Sequence, residues 1–328
     1  MSLVKREGIE SRELIHDNDK CVGCGICADV CPTESLRLGP IVPIARGLLK
    51  MDYISCNSKN CVLCGLCASA CPFGALSLKI DDEPISDIGN YPVWHNGAEI
   101  NEEDCLYCEN CVEACPRDSI FFKRELPDRN DLLVGTINVD EDDCIYCKVC
   151  AELCPAEAIK ITSNNEFGIP DTIEISEDKC VYCQVCKRAC PQDAIKAVCS
   201  TCMHQEEIEK PKITGTIFIE QKCVNCGWCE SVCPADAVEV NKPFIGEVLR
   251  DPELVCKGES CHACQDVCPC NAIEIINNES SINPSYCVLC GACAKACPQH
   301  LLTIKRDSMK LDNIQSPSWR DILGKLVE

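Results

Sequence analysis

The chain has 328 residues, 36 of them cysteine, and a formal net charge of -21 with histidines neutral. So much acid argues against nucleic acid and anionic membranes, which attract basic surfaces, and favours partners with basic docking patches. Cysteine this dense suits a disulfide-stapled secreted scaffold, yet the opening MSLVKREGIESRELIHDNDKC has no apolar signal-peptide core and no stretch approaches a membrane span.

The expected setting is therefore cytoplasmic and reducing, where clustered thiols act as metal ligands. The hydrophobic share of 46% counts cysteine; without it roughly 35% remains, below the apolar share of an ordinary globular domain. Aromatic residues make up 5%. The core is small, and whatever the thiols bind must hold the chain together.

From the N-terminus one phrase recurs eight times. CVGCGICADVCP (Cys21, Cys24, Cys27, Cys31) is followed by an enlarged link over 34–54 and then by CVLCGLCASACP (Cys61, Cys64, Cys67, Cys71). A Pro- and Gly-containing connection over 81–100, with Trp94 and His95, leads to CLYCENCVEACP (Cys105, Cys108, Cys111, Cys115) and CIYCKVCAELCP (Cys144, Cys147, Cys150, Cys154). The alternating runs IKITS and DTIEIS read as strands before CVYCQVCKRACP (Cys180, Cys183, Cys186, Cys190). Next come CSTCMH, a third alternating run GTIFIE, and CVNCGWCESVCP (Cys223, Cys226, Cys229, Cys233). The seventh copy, CKGESCHACQDVCPC (Cys256, Cys261, Cys264, Cys268), has a wider first gap, and CVLCGACAKACP (Cys287, Cys290, Cys293, Cys297) closes the series.

Seven copies read C-x2-C-x2-C-x3-C-P, the bacterial-ferredoxin spacing for 4Fe-4S clusters. Three cysteines in a tight loop can wrap three corners of a cubane, while the fourth, placed at the start of a short helix, reaches a different cluster. Proline suits the first turn of such a helix, and the small apolar pair after each CP fits packing against the cluster. A four-cysteine zinc site more often uses two separated C-x2-C pairs.

On these motifs the chain resembles the two-cluster bacterial ferredoxins and, taken whole, a polyferredoxin. The resemblance implies an α+β fold of four tandem bacterial ferredoxin-type 2[4Fe-4S] domains, stabilised by eight [4Fe-4S] clusters, with small hydrophobic cores. It also implies that the fourth cysteine of each run completes its partner's cluster. Sequential pairing places domains at 10–85, 97–165, 172–245 and 246–310, with a docking tail over 311–328. A nested order, with the fourth and fifth motifs inserted between the third and sixth, is the alternative, because the fourth-to-fifth link is also short.

Four cysteines remain: Cys56, Cys199, Cys202 and Cys270. Cys199, Cys202 and His204 supply only three candidate zinc ligands and read as ordinary loop residues. His262, inside the seventh copy, reads as a spectator. In that copy, Cys256 followed by x4 and x2 spacings also matches the opening of a plant-type 2Fe-2S site, as does the run Cys56, Cys61, Cys64. The x3-C-P ending and the short link to the eighth copy favour Cys256 as a displaced first ligand, with KGES a loop two residues longer than usual. It would then share a cluster with Cys261, Cys264 and Cys297, while Cys268 joins Cys287, Cys290 and Cys293.

No G-x-G-x-x-G opening a helix, Walker A loop or H-E-x-x-H appears, so an electron carrier without its own catalytic site is expected. Eight cores of charge about +2, each with four thiolates, add roughly -16 to the formal charge and favour low reduction potentials. The motif count is similar to that of the polyferredoxin subunits of formylmethanofuran dehydrogenase, the molybdenum or tungsten enzyme of methane-producing archaea. That resemblance implies electron flow from a heterodisulfide reductase or hydrogenase assembly to catalytic subunits that reduce carbon dioxide. Polyferredoxins of hydrogenase complexes share the motif, and an iron-sulfur store, a structural scaffold or a zinc-binding interaction protein are the other classes. The tail SPSWRDILGKLVE places Trp319, Ile322, Leu323, Leu326 and Val327 on one helical face, for docking a partner or for packing on its own domain.

Overall fold

Each copy of the motif bends its backbone at the same three places. Positive φ is found two residues after the first cysteine (Gly23, Leu63, Tyr107, Tyr146, Tyr182, Asn225, Gly258, Leu289). It recurs just after the second cysteine (Gly25, Gly65, Glu109, Lys148, Gln184, Gly227, His262, Gly291) and three residues after the fourth (Glu34, Gly74, Asp118, Glu157, Asp193, Asp236, Asn271, His300). Outside glycine this conformation costs roughly 1–2 kcal/mol per residue, so the loops are strained and are held by what they enclose. The structure is a computed structural model that describes residues 2–87, 91–126, 135–165, 168–199 and 213–327. The candidate residues Cys202 and His204 fall outside them.

The second bend opens a one-turn helix in every copy: Ile26–Asp29, Leu66–Ser69, Asn110–Glu113, Val149–Glu152, Val185–Ala189, Trp228–Ser231, Ala263–Asp266 and Ala292–Ala296. Each helix carries the third cysteine of its run, and all eight of these cysteines are buried. The expected helix start at CP is thus corrected. The helix precedes the fourth cysteine, and CP opens a turn in which the Glu34 amide donates to the Cys31 carbonyl (3.2 Å) and the Asp118 amide to that of Cys115 (3.2 Å). The left-handed residue ending each turn halts helical propagation there.

Around the first two motifs, Arg12–His16 pairs antiparallel with Leu76–Ile80, and Leu36–Leu38 pairs with Ile54–Cys56. Within the link at 34–54 the chain adds the helix Ile41–Ala45, and Ser2–Arg6 extends the outer pair into a larger sheet. The seventh and eighth motifs repeat the pattern: Phe244–Arg250 pairs with Leu302–Met309 outside, and Ile273–Ile276 with Glu279–Ile282 inside. These segments belong to one compact unit, formed by the chain up to Ala98, Glu220–Gly227 and the chain from Val240 onward.

The second unit, Glu99–Ile219 with Trp228–Glu239, corrects the sequential grouping expected at 97–165 and 172–245. Strand Ile120–Glu125, after the third motif, pairs over its full length with Thr214–Ile219, ahead of the sixth, and Phe121 stacks on Phe218 at 4.8 Å. The Asn101 amide donates to the Ala237 carbonyl at 2.8 Å. Between them the fourth and fifth motifs pair with each other, through Gly135–Val139 with Ile195–Cys199 and Ile159–Thr162 with Thr172–Ile175. The strand pairings therefore run in nested order. The short fourth-to-fifth link closes as a local hairpin, which leaves the six-residue strands on either side to find each other.

The cores are small and sulfur-rich. One gathers Leu14, Leu36, Ile54, Leu76 and Leu78 around Cys21, Cys27, Cys61 and Cys67; another sets Ile137, Ile159 and Ile195 around Cys150, Cys180 and Cys186. The tail forms the helix Pro317–Gly324, capped by Ser316, whose Oγ accepts from the Trp319 amide. Its docking role is corrected as well. Leu323 is 0% exposed and Leu326 is 7% exposed, the Arg306 guanidinium donates to the Leu326 carbonyl at 3.3 Å, and Trp319 meets Tyr91 edge-on at 6.3 Å. The apolar face lies on the chain's own unit. No described helix is long and apolar enough to cross a membrane.

Candidate metal centres

Backbone amides aim at the cysteine sulfurs in a repeated way. First cysteines accept from the amide two residues on: Cys105 from Tyr107, Cys180 from Tyr182, Cys223 from Asn225 and Cys287 from Leu289, all at 3.4 Å. Fourth cysteines accept from the amide four residues on: Cys71 from Ala75 (3.3 Å), Cys154 from Ala158 (3.3 Å), Cys233 from Ala237 (3.2 Å) and Cys297 from Leu301 (3.4 Å). Such bonds stabilise a thiolate. Burial alone raises the Cys31 thiol, but bonds from Ser35 and Thr33 and two backbone amides outweigh it and bring its pKa down to about 7.

The deeply set thiols go the other way, and their neighbours identify the quartets. Burial pushes Cys24 up to about 12, and Cys71 and Cys21 add to it. Cys67 is raised by burial and then by Cys64, Cys61 and Cys31. Cys111 rises to about 12 through burial, Cys108, Cys105 and Cys233. Cys150 rises to about 11 through burial, Cys144, Cys147 and Cys190. Cys186 rises to about 12 through burial, Cys183, Cys154 and Cys180. Cys293 rises through burial, Cys290, Cys287 and Cys268. In each case thiols of one run, three of them in all but the Cys24 group, are joined by the fourth cysteine of the paired run. As thiolates, groups packed this closely would repel one another, and a cation among them would relieve that repulsion.

Two quartets line distinct pockets. Cys21, Cys24, Cys27 and Cys71 line one small pocket, with Ile26, Ile54 and Leu76 in the wall. Cys256, Cys261, Cys264 and Cys297 line another. Four thiols around a walled space suit the corners of a cubane. A zinc site instead draws its sulfurs to about 2.3 Å from one point, and among the described residues no three His, Cys, Asp or Glu side chains converge in that way.

The seventh copy keeps the geometry of its siblings. The Cys256 sulfur accepts from the Gly258 amide at 3.4 Å, as first cysteines do, and Gly258 takes the left-handed bend. The two extra residues are then Glu259 and Ser260, absorbed in the 3-10 turn Gly258–Ser260 that Ser260 closes through its Oγ bond to the Lys257 carbonyl (2.7 Å). His262 bonds Gln265 at 3.1 Å. Cys56 sits at the end of an insertion strand, its thiol raised to about 11 by burial and by Cys61. Cys270 is 1% exposed and shares a hydrogen bond with Cys226.

Sequence reasoning missed the cations around the loops. Arg306 donates to the Leu289 carbonyl (2.9 Å) and the Cys290 carbonyl (3.0 Å), and Arg124 to the Tyr107 carbonyl (3.2 Å). Both lie at the same offset beyond the fourth cysteine of a motif, Cys297 and Cys115, which is the signal the repeat offered.

The 4Fe-4S dicluster domain profile matches residues 20–75, 60–119, 104–158 and 143–194. The chain belongs to the 4Fe-4S dicluster domain family. A 4Fe-4S binding domain profile also matches 216–239 and 281–303; the seventh copy lies between these segments, so its geometry carries its own argument. This dicluster protein is 44% identical over 135 residues to the polyferredoxin protein FwdF of Methanocaldococcus jannaschii, a match covering 41% of this chain and 38% of that relative's length. It is 56% identical over 32 residues to ferredoxin-2 of Desulfomicrobium norvegicum, which covers 9% of this chain and 54% of the ferredoxin. Among solved structures it is similar to a chain of the formate dehydrogenase, heterodisulfide reductase and formylmethanofuran dehydrogenase complex from Methanospirillum hungatei. There the TM-score is 0.66 at 29% identity, covering 98% of this chain and 87% of that one.

Proposed function

We propose that the chain is an electron-transfer subunit that holds eight [4Fe-4S] clusters in four two-cluster domains and passes one electron at a time through them. The observation that carries this reading is the exchange of fourth cysteines between paired runs. Cys21, Cys24 and Cys27 take Cys71, while Cys61, Cys64 and Cys67 take Cys31. Cys105, Cys108 and Cys111 take Cys233. Cys144, Cys147 and Cys150 take Cys190, while Cys180, Cys183 and Cys186 take Cys154. Cys256, Cys261 and Cys264 take Cys297, and Cys287, Cys290 and Cys293 take Cys268. For the sixth run the assignment of Cys223, Cys226 and Cys229 rests on the repeat alone.

A cluster closed by four thiolates can change redox state but offers no open site for substrate. The chain's own groups therefore bind, insulate and bias the clusters, and the chemistry of substrates belongs to partners. The likeness to a chain of the Methanospirillum hungatei complex over nearly the whole length, with the likeness to FwdF, supports a cytoplasmic place beside formylmethanofuran dehydrogenase subunits, carrying low-potential electrons to or from them. The test is affinity purification of the tagged full chain from its source organism under anaerobic conditions. Formylmethanofuran dehydrogenase subunits are expected to copurify; recovery of the cluster-loaded chain with none of them would overturn the partner assignment.

A further inference from the structure

Within the domain built from the seventh and eighth motifs, the two cluster sites differ in the charge around them. Near the seventh, Arg250 lies within electrostatic reach of Cys256, but Glu279 holds its guanidinium in a two-point pair at 2.6 and 3.0 Å; Arg46 donates to the Cys261 carbonyl at 2.7 Å, but its charge is paired with Asp266 at 2.6 Å. Near the eighth, Arg306 spends its donors on the Leu289, Cys290 and Leu326 carbonyls at 2.9, 3.0 and 3.3 Å, and it also lies within electrostatic reach of Cys24 of the first motif. Its guanidinium lies 4.5 Å from the centre of the Phe244 ring. Among the described residues no carboxylate stands within salt-bridge distance of it, and the Asp29 carboxylate on that side is bonded to Lys295 at 2.8 Å. Lys242 adds a second cation, donating to the Pro284, Ser285 and Cys287 carbonyls at 3.3, 2.5 and 3.1 Å.

A half-buried guanidinium stacked on an aromatic ring and tied to ligand-loop carbonyls is a fixed positive charge in a weakly screened place. Reducing a four-thiolate cluster takes its total charge from about -2 to about -3, and a fixed cation beside it favours the more negative state. Here the inference rests on the ligand reading proposed above. We infer that Arg306, reinforced by Lys242, is a positioning residue that raises the potential of the eighth-motif cluster above that of the seventh. An electron entering this domain then rests on the eighth cluster, which loses one electron and returns to its oxidised state when the electron moves on. The C-terminal helix takes part, because its Leu326 carbonyl is one of the three acceptors that hold the guanidinium.

The experiment is a redox titration of the anaerobically purified full chain, followed by electron paramagnetic resonance with iron counted in the same samples, for wild type, Arg306→Met, Arg306→Lys and Cys287→Ala. Cys287→Ala is expected to remove the earliest-reducing signal of this domain and so assign it to the eighth motif. Arg306→Met is expected to keep its iron while the reduced-to-oxidised ratio of that signal falls about tenfold at the wild-type midpoint, about 59 mV for a one-electron couple. Arg306→Lys keeps the charge and is expected to restore most of the shift. Unchanged titrations in Arg306→Met with iron intact overturn the inference, as does equal iron loss in both Arg306 variants, which makes the residue structural only. If Cys287→Ala leaves both iron and signal untouched, the ligand reading fails, and the inference with it.

Discussion

Gly258→Ala tests the account of the seventh copy at a single methyl group. A β-carbon at Gly258 would lie 2.5 Å from the Asn278 Oδ1, 2.6 Å from its Cβ and 2.7 Å from its Cα, at a backbone φ of +55°. Rotating the asparagine moves the first atom but not the last, so backbone has to shift. The left-handed alanine costs roughly 1–2 kcal/mol, and forcing a methyl into filled space adds roughly 1–3 kcal/mol. The displaced amide is the one that donates to Cys256, and its neighbour Glu259 bonds Asn278 at 3.3 Å, so the strain falls on the proposed first ligand of this copy. Followed as anaerobic loss of visible absorbance at fixed temperature, the bleaching rate assigned to one cluster should rise at least about tenfold. Asn278 itself has a φ of 63°, where glycine is at ease, and Asn278→Gly removes two of the three overlapping atoms. The double variant should recover part of the loss. Bleaching of Gly258→Ala at the wild-type rate would refute the reasoning.

Cys256→Ala should lower iron by about four per chain, and Cys297→Ala should remove the same spectroscopic signal even though it belongs to another run; two different missing signals would contradict the exchange. By the nested order, Cys233→Ala should abolish the cluster of Cys105, Cys108 and Cys111 and leave that of Cys144, Cys147 and Cys150 intact, checked by comparing its spectrum with those of Cys108→Ala and Cys147→Ala. Leu323→Asp places a carboxylate where exposure is 0% and should destabilise the first unit by roughly 2–5 kcal/mol, seen in denaturant as early cluster loss. A variant that instead keeps its clusters as the wild type does would restore the docking role for the tail.

The candidate ligands could be named from the sequence because cluster chemistry demands their spacing. Even the seventh copy, with Cys256 displaced, kept its ending at Cys268 and Pro269 and its short link to Cys287. The order of pairing could not be named, because each run is the same phrase and any two could form a domain. The choice is made by strands 120–125 and 214–219, which meet across almost ninety positions of sequence. The bends at Leu63, Tyr107 and Tyr182 were hidden too, since these residue types seldom favour positive φ and are driven there by the loop. Arg306 is brought to Leu289 and Cys290 by its strand; the offset it shares with Arg124 beyond a fourth cysteine marked the position in the repeat, but not the carbonyls it meets. The tail helix was readable from Ser316 and Pro317, while the partner for its apolar face depended on tertiary packing.

The central claim, that this chain stores and relays electrons through eight clusters, is tested most directly by counting electrons taken up per chain in an anaerobic reductive titration at ferredoxin-like potentials. With about 32 iron atoms per chain, uptake should approach about eight electrons. Full iron with uptake of about one electron or fewer would mean that the clusters only hold the fold together.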